Sequence, residues 1–433
     1  MPYAIDLFCG AGGMSEGLLQ AGFHILFSSD ISEDVQKTYM NRHDQLGYKQ
    51  GVNTFFYRCD VRQLTGDFIK ESIASLEIFK DKEIPQIDAI FGGPPCQGFS
   101  RAGLRKKDDP RNFLFKEYLR VISEIEPNYV VMENVVGLLD MQFEGFEGIS
   151  GKVYEDGTVT PDILKSELAS LGYTANMKVL DASNYGVPQR RNRVIFMAYK
   201  NNMRKPEFPK PITENSKVTF NDAISDIVNG KRDDNYPYTD FQKDSLRGRT
   251  PDINGNPIPL TGDYLNNELS THSKIITERF SLYNEGEDSA ALKKRIMENG
   301  IDLTGKETLI EHCSKELNIN EDVVVQKYKE NVTVEMINVL LTKKNMRRRL
   351  ERYVVSPTVV TLPDDYISPY EDRILSVREL ARLQSFDDSF EFLGKRTTGG
   401  PRRKVEVPQY SQVGNAVPPL LARAVAIEII KVI

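Results

Sequence analysis

The sequence predicts a doubly wound α/β sheet joined to a second, smaller and irregular domain. Three observations predict it. Over the first two hundred of 433 residues, short apolar runs alternate with stretches of helical period, the pattern of parallel strands joined by crossover helices. The reactive-looking residues there fall at the carboxyl ends of apolar runs, where such sheets hold ligands. After about Lys200 the texture changes. Pro206, Pro209 and Pro211 punctuate a linker, and residues 229–270 are rich in Asn, Asp, Gly and Pro. Three segments follow: 1–200 as the sheet, 201–395 as the irregular domain, and 396–433 as a C-terminal stretch.

Residues 4–8 read as a strand ending in a glycine turn, and 14–20 as a helix stopped by Gly22. Residues 24–27 are a second strand. Residues 58–61 are a third. Residues 67–79 carry Phe68, Ile69, Ile73, Leu76 and Phe79 at helical spacing. Residues 87–91 form a strand that runs into Gly92-Gly93-Pro94-Pro95. A helix over 113–125, a strand over 129–132, a helix over 163–171 and strands near 177–180 and 193–198 complete the series. Helical patterns recur within 286–345. The segment 420–433 is apolar nearly all round, which suits a helix buried against the sheet.

Composition narrows the function classes. Apolar residues at 40% and charged residues at 27% are ordinary globular usage and exclude wholesale disorder. No apolar run approaches the ~20 residues of a bilayer span, and the first residues lack the basic-then-apolar pattern of a signal peptide. Cys9, Cys59, Cys96 and Cys313 lie far apart without a CxxC, so neither a disulfide framework nor a cysteine zinc site is expected, and a reducing cytoplasm is. Four histidines without HExxH argue against a histidine-metal enzyme, and no metal is expected. The net charge of −6 argues against nucleic-acid binding by bulk charge. Local basic runs at 101–111, 189–193, 343–352 and 395–404 leave room for it; each alone also reads as a solvated surface.

Four constellations carry chemistry. In Asp6 to Gly13 (DLFCGAGG) a strand enters a glycine turn that opens a helix, which lets backbone N–H groups approach a ligand. Asp30, twenty residues after Gly10, suits ribose hydroxyls. A dinucleotide fingerprint wants glycine where Ser15 stands, so a phosphate-free nucleoside ligand such as S-adenosylmethionine fits better; a tight structural turn is the other reading. Asp60 suits an adenine edge or, equally, a helix N-cap. In Gly92 to Ser100 (GGPPCQGFS) two prolines stiffen the chain before Cys96 and glycine loosens it after, an unusual place for a packing cysteine. The thiol reads as a nucleophile that needs a base or a cation beside it. Glu133 breaks an apolar strand at its carboxyl end, costly unless paired or used. Arg191 and Arg193 begin a strand and alternate onto one side of it; a surface edge is the alternative.

The ordered blocks DLFCGAGG (6–13), PPCQGFS (94–100), MENV (132–135), QRRNR (189–193), SVRELARLQSF (376–386) and QVGNAVPP (412–419) together resemble the DNA (cytosine-5)-methyltransferases of bacterial restriction-modification systems. The resemblance covers residues 3–200 and 354–433. It implies an S-adenosylmethionine-dependent methyltransferase (Rossmann-like) sheet over 1–200 and a target-recognition, DNA-binding domain over 201–395. The segment 396–433 would return to the catalytic domain. It implies methyl transfer to C5 of a flipped-out cytosine in a specific duplex sequence, with S-adenosylhomocysteine as product. Cys96 would bond C6, Glu133 would hold N3 and the exocyclic amine, and Arg191 and Arg193 would lie beside base and thiol.

For the cofactor, the resemblance implies Phe8, Gly10 and Gly12 near methionine and ribose, and Asp30 on the ribose. Ile31 would lie against adenine where many members have an aromatic, Asp60 at the adenine edge, and Leu114 and Asn415 would complete the pocket. Residues 100–112 would close behind the flipped base. Ser100, Arg101, Arg105 and Lys106, with Arg347 and Arg348 farther on, are expected at the DNA. Arg378, Glu379, Arg382 and Gln384 read as a polar scaffold. A monomer without membrane association is expected, with a cognate restriction endonuclease acting on the same sequence without stable binding. A transfer-RNA cytosine methyltransferase of the same fold is the alternative. A nucleotide-dependent oxidoreductase would leave PPCQGFS and MENV unexplained, and an inactive DNA-binding protein would tolerate loss of Cys96 or Glu133.

Overall fold

In the computed structural model, residues 1–95, 113–233, 235–342, 344, 346–400, 402 and 405–433 are described. The apolar runs of the first two hundred residues become one seven-stranded sheet. Its strands are β1 (Tyr3–Leu7), β2 (His24–Asp30), β3 (Phe55–Arg58), β4 (Ala89–Gly92), β5 (Tyr129–Val135), β6 (Tyr173–Asp181) and β7 (Asn192–Lys200). Their spatial order is β3-β2-β1-β4-β5-β7-β6. The strands from β3 to β5 pair in parallel, and β7 runs antiparallel to both β5 and β6. The winding changes direction between β1 and β4, which opens a ligand crevice at their carboxyl ends.

Helices α1 (Gly13–Ala21), α2 (Glu33–Gln45), α3 (Gly66–Ala74), α4 (Leu114–Ile125) and α5 (Thr160–Ser170) connect the strands. Two details differ from the sequence reading. The third strand lies three residues earlier, at Phe55–Arg58, and α2 stands where no helix is expected. Its apolar stripe is thin, with only Val35 and Tyr39 as buried large apolar residues. Its start is fixed by the Ser32 hydroxyl, which accepts from the Val35 N–H.

Alternation along the strands sends side chains to two faces. Ile5, Leu7, Ile90, Val130 and Met132 pack with α3, α4 and α5 through Ile69, Ile73, Leu119, Ile122 and Ile163. Ala4, Ile25, Ala89, Phe91 and Val131 pack with α1 and with α15 (Pro419–Ile430), through Leu18, Leu421, Val425 and Ile429. The crossing of α1 and α15 is close. A Cβ on Gly17 would lie 2.5 Å from the Ala422 Cβ and from the Arg423 backbone N. The run Gln409–Ile430 is long and apolar enough, by length and composition, to cross a membrane. Here it is divided at residues 416–418, and more than half of it is buried against the rest of the chain.

Two further cores serve the region after Lys200. One gathers α6 (Phe220–Ile224), α7 (Asp240–Arg247), α13 (Val377–Leu383) and α14 (Gln409–Asn415) around Phe220, Ile224, Leu380, Phe386 and Val413. The other is helical: α8 (Lys274–Phe280), α9 (Ser289–Asn299), α10 (Glu307–Leu317), α11 (Glu321–Glu330) and α12 (Val334–Leu340) enclose Leu292, Cys313, Val324, Tyr328 and Leu340. A short pair, β8 (Arg348–Arg349) and β9 (Tyr366–Ile367), closes it.

Candidate active site and cofactor cradle

The ends of β4 and β5 meet at Glu133. An added Cβ on Gly93 would lie 3.3 Å from the Glu133 Oε2, and the Asn134 side-chain amide donates to the Pro94 carbonyl at 3.0 Å. The chain leading to Cys96 is thereby tied to the Met-Glu-Asn-Val strand. Cys96 itself, like Ser100, Arg101, Arg105 and Lys106, lies outside the described residues. Glu133 is buried, and its Oε1 receives the Arg193 Nε at 2.6 Å. In the β5–β7 register Glu133 sits opposite Ile195 and Val135 opposite Arg193, so the guanidinium reaches back along the strand to the carboxylate. A buried carboxylate is tolerable on these terms because it is paired.

Arg191 sits just before β7 and is turned elsewhere. Its guanidinium is buried and donates to the carbonyls of Val359 at 3.1 Å, Gly414 at 3.0 Å and Ala416 at 3.2 Å. Burial first, then repulsion from Arg193, holds its pKa well below the ordinary value. Arg193 thus faces the acid, while Arg191 braces the backbone at Val359 and the end of α14.

Gln189 had no signal of its own in the sequence. Its side-chain amide donates to the Leu383 carbonyl at 2.9 Å and to Gln384 Oε1 at 2.6 Å, and its carbonyl oxygen accepts from the Val359 N–H at 2.8 Å. The proximity of the QRRNR and RELARLQSF blocks in space, invisible as spacing, is what makes it a keystone.

At the ends of β1 and β2 the glycine turn forms a cradle. Phe8, Gly10 and Gly12 all have positive φ, and a Cβ on Gly10 would meet nothing within 4 Å, so the turn presents open backbone. The Asp30 carboxylate ties the turn to β2: Oδ2 accepts from the Gly10 N–H at 3.1 Å and Oδ1 from the Ser32 N–H at 2.9 Å. Burial raises its pKa and these bonds oppose the rise. Ile31 beside it is 65% exposed, an apolar surface at the rim. Asp60 caps the short turn Val61–Gln63 and pairs with Arg62; that hydrogen bond lowers its pKa. Leu114 opens α4 and is half-buried. Asn415 is exposed at the end of α14, and the two residues after it press on the turn. A Cβ on Gly13 would lie 2.3 Å from the Val417 carbonyl and 3.1 Å from the Ala416 Cβ. Ala416 and Val417 therefore lie against the start of α1, beside the glycine turn.

Of the two arginines expected at DNA in 343–352, Arg347 is buried. It lies over the Phe280 ring at 4.8 Å and donates to the Asp364 carbonyl and the Thr342 hydroxyl. It knits the helical core to β9, and Arg348 is the one on the surface. Arg378, Glu379, Arg382 and Gln384 are fully buried. Arg382 pairs with Asp226 at 2.6 Å and with Asp388 at 2.7 Å, and Glu379 pairs with Arg373 at 2.8 Å. Their pairs tie α13 to Asp226, Arg373 and Asp388.

The chain as a whole is similar to known proteins. A family model described as C-5 cytosine-specific DNA methylase matches residues 3–431. The Type II methyltransferase M.AgeI of Thalassovita gelatinovora is 32% identical, with 99% of each chain covered. M1.HphI of Haemophilus parahaemolyticus is also 32% identical, over 99% of this chain and 86% of its own. M.DdeI of Desulfomicrobium norvegicum is 29% identical, over 98% and 87%. Among solved structures, a prophage-encoded protein from E. coli described as a DNA modification methyltransferase superposes with a TM-score of 0.64. It shares 23% identity, covers 100% of this chain and 99% of its own, and is alike in fold.

Proposed function

The chain belongs to the C-5 cytosine-specific DNA methylases, and from that premise we propose that it methylates a flipped-out cytosine through a covalent bond to Cys96. The observation that carries the reading is the buried Glu133–Arg193 pair, held beside the chain that leads into Cys96. Cytosine C5 is a poor nucleophile. Addition of the Cys96 thiolate to C6 makes C5 enamine-like, and Glu133 hydrogen-bonds N3 and the exocyclic amine while charge builds on the ring. Arg193 keeps that acid oriented. Arg191 acts from behind, fixing the strand on which Arg193 stands.

The cradle fits S-adenosylmethionine: open backbone at Gly10, a carboxylate at Asp30 within reach of ribose hydroxyls, and apolar Ile31 at the rim. When bound, S-adenosylmethionine supplies a methyl group on a sulfonium sulfur, an electrophile for C5. Phe8, Gly10, Gly12, Asp30, Ile31, Asp60, Leu114 and Asn415 are the residues that would hold it. Afterwards a base removes the C5 proton and Cys96 leaves C6 as thiolate, restoring the aromatic ring. Duplex stacking hides C6, so the base must be swung out first, at a cost of a few kcal/mol. Ser100, Arg101, Arg105 and Lys106 would close on the backbone behind it, and Arg348 would meet a phosphate. The enzyme would act as a monomer, on the sequence cut by a companion nuclease with which it forms no stable complex.

Two measurements test this. DNA carrying 5-fluorocytosine cannot lose its C5 substituent as a proton and should trap a covalent adduct on denaturing gels, absent in Cys96→Ser; the lack of any adduct would refute it. Bisulfite sequencing of a plasmid expressing the protein should reveal 5-methylcytosine at one recurring sequence. Labelled methyl transfer to transfer RNA alone would point to the alternative substrate.

A further inference from the structure

We infer that Asp6, Ser15 and Tyr39 form a proton-sensitive foot beneath the glycine turn, a hydrogen-bonded chain whose protonation sets how strongly the cradle prefers a cationic ligand. The inference rests on the reading of that cradle as the S-adenosylmethionine pocket.

Ser15, which stands where a dinucleotide fingerprint has glycine, has a different use here. Its hydroxyl donates to Asp6 Oδ2 at 2.5 Å and lies 3.0 Å from the Tyr39 hydroxyl, which lies 2.5 Å from that of Ser28. Since Ser15 spends its proton on Asp6, Tyr39 donates to Ser15 and Ser28 donates to Tyr39, so three hydroxyls point in series at one carboxyl. Asp6 Oδ1 is buried and has no hydrogen-bond partner among the described residues. Tyr39 cannot move to relieve this. Its ring is stacked on His43 at 4.0 Å, and a Cβ on Gly12 would sit 3.2 Å from it. The chain thus runs from the sheet to the underside of the turn.

Among the described residues, the titratable and charged groups that act around Asp6 are Cys9 in the turn, Asp30 at the end of β2, Tyr39 on α2 and Tyr118 on α4. The charged neighbour is a like one. Burial, against the Ser15 bond and with help from Asp30, pushes the Asp6 carboxyl up to about 7. An unpaired oxygen in that setting is best relieved by a proton or by positive charge nearby. S-adenosylmethionine carries a sulfonium and its product a neutral thioether, so ionised Asp6 favours the substrate over the product and protonated Asp6 does not.

Calorimetric titration of the full-length protein with S-adenosylmethionine and with S-adenosylhomocysteine, at pH 6 and pH 8, tests this. In wild type the affinity ratio of substrate to product should rise by about threefold or more from pH 6 to pH 8. In Asp6→Asn it should stay constant, and comparison of the two proteins cancels titration of the ligands' own amines. Tyr39→Phe, which keeps the ring and cuts the chain, should move the pH midpoint without abolishing binding. An equal rise in Asp6→Asn, or a flat ratio in wild type with both ligands bound, would overturn the inference alone. Failure of wild type to bind either ligand would overturn it together with the cofactor reading.

Discussion

Around the sheet, most of the buried residues are apolar, such as Ile5, Leu7, Phe91 and Val131. Around α13 they include Arg378, Glu379, Arg382 and Gln384, each with 0% exposure. Apolar contact is non-directional, and its partners can repack. A buried guanidinium needs specific acceptors: Arg382 has two carboxylates, Asp226 and Asp388, and Arg373 bonds Glu379. The region without extended strands is therefore specified by pairing. Sliding α13 by one residue would leave charges unpaired in the interior.

Four outcomes would sharpen or break that contrast, in order of expected size. Arg382→Met strands Asp226 and Asp388 and should cost about 3–5 kcal/mol in urea unfolding; a loss below ~1 kcal/mol would mean the pairing is dispensable. Gly17→Ala forces α1 from α15 on the apolar side and should cost about 1–3 kcal/mol, read from the same experiment.

Asp6→Asn should change the pH dependence of stability. The unfolded chain loses this proton near the ordinary carboxyl value of 3.8, whereas the folded chain keeps it until about 7. Wild-type stability therefore falls from pH 4 to pH 7 by this contribution and levels above, and Asp6→Asn should lack the fall. Unfolding midpoints at pH 5 and pH 8 would measure it. Last, Lys37→Ala breaks the exposed Lys37–Glu33 pair and should leave the midpoint unchanged.

The strands and the glycine turn are legible in the sequence because their causes are local: apolar runs of strand length, punctuated by Gly and Pro. So is Glu133 as a charge that must be paired or used at the end of an apolar strand; that its partner is Arg193, with Arg191 turned to the carbonyls of Val359, Gly414 and Ala416, is visible only in space. The antiparallel β7 is not legible. Nothing in residues 192–200 records direction, which is set by the return from β6. α2 escapes a reading by period because polar residues outnumber its buried ones. Arg347 reads as a surface cation, wrongly, because the acceptors that bury it, Asp364 and Thr342, come from other turns of the chain. The RELARLQSF block reads as a scaffold, but Asp226, 156 residues from Arg382, can be matched to it only in space.

The close packing of α15 on α1 has a consequence for synthesis. Until α15 is translated and clears the ribosome tunnel, Met14, Leu18, Phe91 and Val131 lack the cover that Leu421, Val425 and Ile429 provide. A nascent chain would carry every reacting group and still show an oily flank. A premature stop near codon 415 should therefore yield a protein that chaperones retain, inactive although none of its catalytic side chains is missing.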